Sequence, residues 1–286
     1  MNQDIIDLYD EYTHGPLDRR VFLARLAQLV GGTAAALALV PILEANQARA
    51  ALVPPQDPRL ETGRIAYPGA TGEIKAYLAR PKGGMKLPAV IVIHENRGLN
   101  AHIENVTRRV ALEGFLALAP DLLSPSGGTP TNEDTARDMI SKLDGKQTVQ
   151  NLVAAVSFLA KHPHGKGKVG AMGFCWGGGT AGDLAVNAPD LDASVVYYGR
   201  QPQAAEVPKI QAPLLLHYAG LDTRINEGIP AFEDALKKAN KKYTLYIYEG
   251  ANHAFNNDTS EARYNKQAAE QAWARTIAFF KEHLKT

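Results

Sequence analysis

Lys168-Val169-Gly170-Ala171-Met172-Gly173-Phe174-Cys175-Trp176-Gly177-Gly178-Gly179 is the most informative stretch of the chain. Its first half is apolar and nearly uninterrupted, the pattern of a strand covered on both faces. Its second half is Gly-x-Cys-x-Gly, and residues 180–188 continue as a helix. Only small neighbours let a strand and a helix approach closely enough to hold a side chain up on the tight turn between them. A sulfur on that turn stands beside a helix amino terminus, whose partial positive charge favours thiolate. A buried cysteine acting as a small hydrophobe is the plainer reading, but it leaves the flanking glycines unexplained.

The same alternation extends outward. Strands are expected at 64–67, 73–79, 89–94, 115–119, 168–173, 193–198, 213–218 and 243–248. Helical spacing shows in Leu152, Ala155, Val156 and Leu159, and again in Ala269, Trp273, Ile277, Phe280 and Leu284. Strands alternating with helices give an α/β fold with a mainly parallel, doubly wound sheet. The short turn near Gly69 and Gly72 makes the first two strands an antiparallel hairpin at one edge. No linker or internal repeat divides residues 51–286, so one domain is expected. In α/β hydrolases the turn after the central strand carries Gly-x-Ser-x-Gly; here cysteine stands in the serine's place.

A nucleophile needs a base, and the base an orienting acid, following it in the order nucleophile, acid, histidine. Asp222 follows the strand at 213–218 and His253 follows the strand at 243–248, both beyond carboxyl ends, where open α/β sheets build their sites. Asp222 would fix the imidazole tautomer and His253 would take the thiol proton. Taken singly, Asp222 also suits a helix cap and His253 a loop. The oxyanion hole would use the backbone amides of Trp176 and Asn96. Glu95, beside Asn96, either manages a proton or pairs with Arg97. His162 and His164 are expected in solvent, and His217 in the core.

Composition removes other classes. The 286 residues carry 31 Lys plus Arg against 30 Asp plus Glu, a formal charge of +1. That leaves no excess of cations to neutralise phosphates, so no nucleic-acid partner is expected. One cysteine is read as excluding an internal disulfide framework and a cysteine-based zinc site. No histidine pair has metal-ligand spacing with a carboxylate nearby, so neither metal nor cofactor is implied. Two non-hydrolytic readings compete: a fold member that binds an acyl ligand, and a redox sensor in which Cys175 becomes a sulfenic acid.

Residues 1–50 differ from the rest. Asp18-Arg19-Arg20-Val21-Phe22-Leu23 leads into the apolar run 34–40, and Ala48-Arg49-Ala50 offers small residues at a cut. A charged region, an apolar region and an Ala-x-Ala site lay out an export signal, and the arginine pair resembles the twin-arginine type. Periplasmic location and contact with that export machinery follow; without a working signal the protein stays cytoplasmic. Arg25, Gln28, two glycines and Glu44 interrupt the run, so no membrane span is expected. The competing reading is an amphipathic helix packed on the domain.

Taken together, Val92-Ile93-His94-Glu95-Asn96-Arg97-Gly98-Leu99-Asn100, Ala119-Pro120-Asp121-Leu122, Gly173-Phe174-Cys175-Trp176-Gly177-Gly178, Tyr197-Tyr198-Gly199, Asp222 and His253 resemble the dienelactone hydrolase family of α/β hydrolases over roughly residues 60–284. The resemblance implies hydrolysis of a small ester or lactone through a thioester, without a cofactor. It also implies that Glu95 accepts the thiol proton as substrate arrives, and that Tyr197 and Tyr198, with Arg97, bind substrate. An arginine that holds a substrate carboxylate follows the histidine in these enzymes. Here Asn256-Asn257-Asp258 stand instead, and Arg137, Arg200, Arg224 or Arg263 would have to replace it.

Overall fold

The computed structural model describes residues 1–15, 17–44 and 52–285. Its centre is an eight-stranded sheet: β1 Leu60–Gly69, β2 Gly72–Pro81, β3 Leu87–Ile93, β4 Leu116–Pro120, β5 Gly165–Phe174, β6 Ala193–Tyr197, β7 Leu214–Ala219 and β8 Tyr243–Tyr248. The spatial order is β1-β2-β4-β3-β5-β6-β7-β8. β1 and β2 form the edge hairpin, turning between Gly69 and Gly72, and β2 also runs antiparallel to β4. The remaining pairs are parallel. All eight expected strands are present, several longer at their ends.

Ten α-helices are described. α1 Gln3–His14, α2 Arg19–Val30 and α3 Thr33–Leu43 precede the sheet; α4 Ala101–Leu112, α5 Glu133–Ser141, α6 Gly145–Ala160, α7 Trp176–Asn187, α8 Thr223–Asn226, α9 Ile229–Lys238 and α10 Lys266–His283 interleave with it. Inner strands such as β3 and β4 are buried along their length because helices lie on both faces. On one face Ile103, Val106 and Val110 of α4 and Ala272, Ile277 and Phe280 of α10 pack against alternate strand residues. On the other, Leu152 and Leu159 of α6, Leu184 of α7 and Leu236 of α9 do the same. The apolar stripes at three- and four-residue spacing are what place these helices.

The amino-terminal helices have an apolar cluster of their own, with Tyr9, Tyr12, Phe22, Leu26, Val40 and Leu43 buried together. The rings of Tyr12 and Phe22 stack at 4.5 Å. α2 stops at Gly31, whose φ of 81° is the left-handed cap that glycine adopts without strain. Among the described residues no single helix is long and apolar enough to cross a membrane; α2 and α3 reach that length only jointly, across a 110° bend. The trio is tied to the sheet domain by Asp10–Arg263 at 3.0 Å and Arg19–Asp134 at 2.8 Å. The Ala48-Arg49-Ala50 cut site lies outside the described residues.

Candidate active site

Between β5 and α7 the chain turns at Cys175 with φ 56° and ψ −116°, a conformation an L residue adopts only under constraint. The constraint is close packing. A Cβ on Gly173 would lie 2.0 Å from the Gly177 carbonyl oxygen, and one on Gly177 would lie 2.3 Å from that of His94. The Cys175 amide donates to the Tyr197 carbonyl at 3.0 Å. The glycines therefore let β3, β5 and α7 meet while the sulfur projects at the carboxyl edge of the sheet.

His253 follows β8 and is buried. Its Nδ1 lies 2.5 Å from Asp222 Oδ2, and Asp222 also accepts from the Ile225 amide at 3.3 Å, capping α8. Both single readings of Asp222, cap and histidine partner, thus hold at once. Burial opposes the Asp222 charge, but the hydrogen bond and field of His253 hold its carboxyl below the ordinary range. Burial likewise disfavours charge on His253, yet the neighbouring Cys175 sulfur and Asp222 overcome it and push the imidazole up to about 10. The His253 Nε2 has no hydrogen-bond partner.

Asn96 and Trp176 line, with Cys175 and His253, a cavity of about 800 Å³. Tyr198 lines it too; its ring lies 5.1 Å from His253, and burial raises its phenol well above the ordinary value. Glu95 is buried near the sulfur without bonding to it. One carboxylate oxygen accepts from Asn257 Nδ2 at 2.8 Å and the other has no partner. The Asn257 that marked a departure in the sequence is therefore what holds Glu95.

The structure corrects the reading of Tyr197 and removes one of the two alternatives left open for Glu95. Tyr197 does not wall the site: it is buried in the core, its hydroxyl 2.7 Å from Thr276 and its ring against Phe174. Its backbone position is the last of β6, so alternation turns it into the sheet face covered by α10. Arg97 does not pair with Glu95; it reaches the α5 carboxylates, with Asp134 at 3.3 Å and Glu133 at 3.9 Å. It nonetheless lines a smaller recess beside Cys175. His217 is buried, as read, between Thr276 and Tyr248, whereas His162 and His164 are half-buried rather than free in solvent.

Of the candidate arginines, Arg137, Arg200 and Arg224 line the large cavity. Arg137 pairs with Asp134 and Asp138, and Arg200 with Asp183. Arg263 is buried against Asp10 and Tyr9.

One residue at the site was missed. His14, the last residue of α1, places Nε2 3.0 Å from Cys175 Sγ, with its ring 4.5 Å from that of His253. Burial, then the fields of His253 and Arg224, push its pKa well below the ordinary histidine value, so it is neutral. Nothing local signals this, because 161 residues separate the histidine from the cysteine. α1 is held there by Asn96 Nδ2 donating to the Thr13 carbonyl at 2.8 Å and by Gln3 donating to Asn252 at 2.7 Å.

A parallel sheet with an antiparallel edge hairpin, a strained cysteine elbow after its central strand, and an acid–histidine pair past later strands define an α/β hydrolase. The dienelactone hydrolase family profile matches residues 74–284, and the chain belongs to that family. A YqhI-like profile matches residues 1–32. A Saccharolobus solfataricus protein named "Putative carboxymethylenebutenolidase" is 36% identical over 255 residues, covering 76% of this chain and 97% of its own. The crystal structure of a "Putative Dienelactone Hydrolase" from Klebsiella pneumoniae superposes with a TM-score of 0.70 at 31% identity, covering 78% of this chain and 99% of that one. A dienelactone hydrolase structure from Anabaena variabilis, at 23% identity and a TM-score of 0.63 over 79% of this chain and all of its own, shares the fold. The chain is a hydrolase of lactones or carboxylic esters, of dienelactone hydrolase type.

Proposed function

We propose that the enzyme hydrolyses a small ester or lactone by acyl transfer to Cys175, with His253 as base and acid and Asp222 as its orienting partner. The observation that carries this reading is the 2.5 Å Asp222–His253 contact beside a sulfur held on a strained elbow. The thiolate attacks the carbonyl carbon, and the electron pair of the C=O bond moves to oxygen. The amides of Asn96 and Trp176 stabilise that oxyanion, at about 3 kcal/mol per donor. His253 delivers its proton to the departing alkoxide as the thioester forms. It then takes a proton from water, whose hydroxide attacks the thioester and releases the acid. Glu95 lies 7% exposed with one unpartnered oxygen, which supports its reading as a proton acceptor that moves toward the sulfur when substrate enters. Tyr198, which lines the cavity with its buried hydroxyl unpartnered, is the aromatic wall.

The test uses the full chain with p-nitrophenyl acetate. Wild type turns over, and Cys175→Ala falls to background while keeping the same thermal transition. Equal activity in the two proteins would remove Cys175 as nucleophile.

The leader motif supports a second part of the proposal, export by the twin-arginine route to the periplasm with cleavage after Ala50. Cleavage would remove α1 and with it His14 from the sulfur. Intact mass of the protein recovered from periplasm and cytoplasm reads this directly. A chain found only in the cytoplasm at full-length mass rejects it.

A further inference from the structure

The three groups around the elbow have a pattern that acyl transfer does not account for. Each imidazole has Nδ1 on an oxygen that can only accept in that position. His14 Nδ1 meets the Asp10 carbonyl at 3.0 Å and Thr13 Oγ1 at 2.9 Å, the hydroxyl itself donating to the Tyr9 carbonyl. His253 Nδ1 meets the Asp222 carboxylate. In its neutral form each ring therefore keeps its proton on Nδ1, and its Nε2 is the nitrogen free to offer an electron pair toward Cys175. One nitrogen of each ring and the sulfur all lie within 4.8 Å of one another, His14 Nε2 being 3.0 Å from the sulfur.

One thiol proton cannot satisfy this triangle. If sulfur keeps it and donates to His14, the buried His253 Nε2 has no partner, as found. If it passes to His253, the bare His14 Nε2 faces a thiolate at 3.0 Å. A cation at the centre would satisfy all three at once. Two imidazole Nε2 atoms and a thiolate are ligands of the borderline-soft divalent ions, and oxygen acceptors on the far ring nitrogens are the supports such ligands use. A tetrahedral zinc ion spaces its ligand atoms roughly 3.3–3.6 Å apart, so small side-chain movements close the triangle. All three residues line the cavity, from which a fourth ligand would come.

We propose that the full chain binds one thiophilic divalent cation of the zinc class through His14 Nε2, Cys175 Sγ and His253 Nε2. Binding exchanges the thiol proton for the metal and releases it to solvent, so no electron transfer is involved. The site exists only while α1 is attached and docked. Its consequence, that metal reversibly silences hydrolysis by occupying the nucleophile, rests on the acyl-transfer reading; the binding itself does not.

The experiment titrates chelator-treated full-length protein with cobalt(II), followed by absorption, and measures p-nitrophenyl acetate hydrolysis in parallel with and without zinc. The expected result is saturation at one cobalt per chain, with tetrahedral visible bands and a near-ultraviolet sulfur-to-cobalt charge-transfer band. Cys175→Ser loses the charge-transfer band. His14→Ala weakens binding by at least about tenfold, and His162→Ala/His164→Ala, a control for histidines away from the site, leaves it unchanged. Far-ultraviolet circular dichroism establishes that each variant is folded. A wild-type spectrum without the sulfur band, or equal affinity in wild type and folded His14→Ala, overturns the proposal. Cysteine-dependent hydrolysis without the band rejects the metal alone; the band without hydrolysis rejects acyl transfer and leaves the metal standing.

Discussion

At the scale of single residues, burial decides the protonation states that set the chemistry. His217 and His253 are buried and His14 half-buried, yet only His253 has a carboxylate within reach, and it alone is pushed toward the charged form. His217 is held by hydroxyls of Thr276 and Tyr248, and burial lowers its pKa to about 3. A histidine with a depressed folded pKa contributes no penalty above its unfolded value near 6.5. Below that, the unfolded chain binds a proton that the folded chain cannot. Stability should therefore fall as pH drops from about 6.5 toward 3, and His217→Gln should flatten that fall in urea unfolding measured across the range. An identical pH slope in the two proteins would count against a neutral, enclosed His217. The residue types at the site were legible in the sequence because nucleophile, acid and base each follow a strand end. Their protonation was not, since it depends on which neighbours exclude water.

At the scale of elements, the junction of β5 and α7 sets how near the helix can come to the sheet. Gly177 packs against the Ile93 and His94 carbonyls at the end of β3, leaving no room for a methyl group. Gly177→Ala should destabilise the fold by about 1–3 kcal/mol or more, read as a lower denaturation midpoint, and should displace Cys175. A variant of unchanged midpoint and activity would show that the elbow is looser than its geometry. The strands were legible here because burial on both faces writes them as apolar runs. Tyr197 was misread for a reason that also belongs to elements: it closes β6 with its side chain in the core, whereas Tyr198 leaves the strand at φ 39° and lines the cavity. Sequence pairs them, and the turn at the strand's end separates them.

At the scale of the whole molecule, the amino-terminal helices and the sheet domain form the site together. Among the described residues Asp10–Arg263 is the most enclosed ion pair between them, with side chains 18% and 9% exposed. Asp10→Asn leaves the Arg263 cation without its charged partner and should loosen α1. Each roughly 1.4 kcal/mol of docking lost multiplies the undocked fraction about tenfold, so iodoacetamide should alkylate Cys175 several-fold faster in the variant. An unchanged alkylation rate would mean that α1 does not restrict access to the sulfur.

The sequence by itself determined the α/β fold, the edge hairpin, the cysteine elbow and the family, because each is written in local periodicity or in short motifs with fixed spacing. It also placed Asp222 and His253 at strand ends, where sheet topology brings consecutive carboxyl edges together. Tertiary structure alone decided that His14 meets Cys175, that Asn257 holds Glu95, and that Arg97 turns to α5. Those contacts join segments 161, 162 and 37 residues apart. No local pattern encodes them, because they arise from the packing of finished elements against one another.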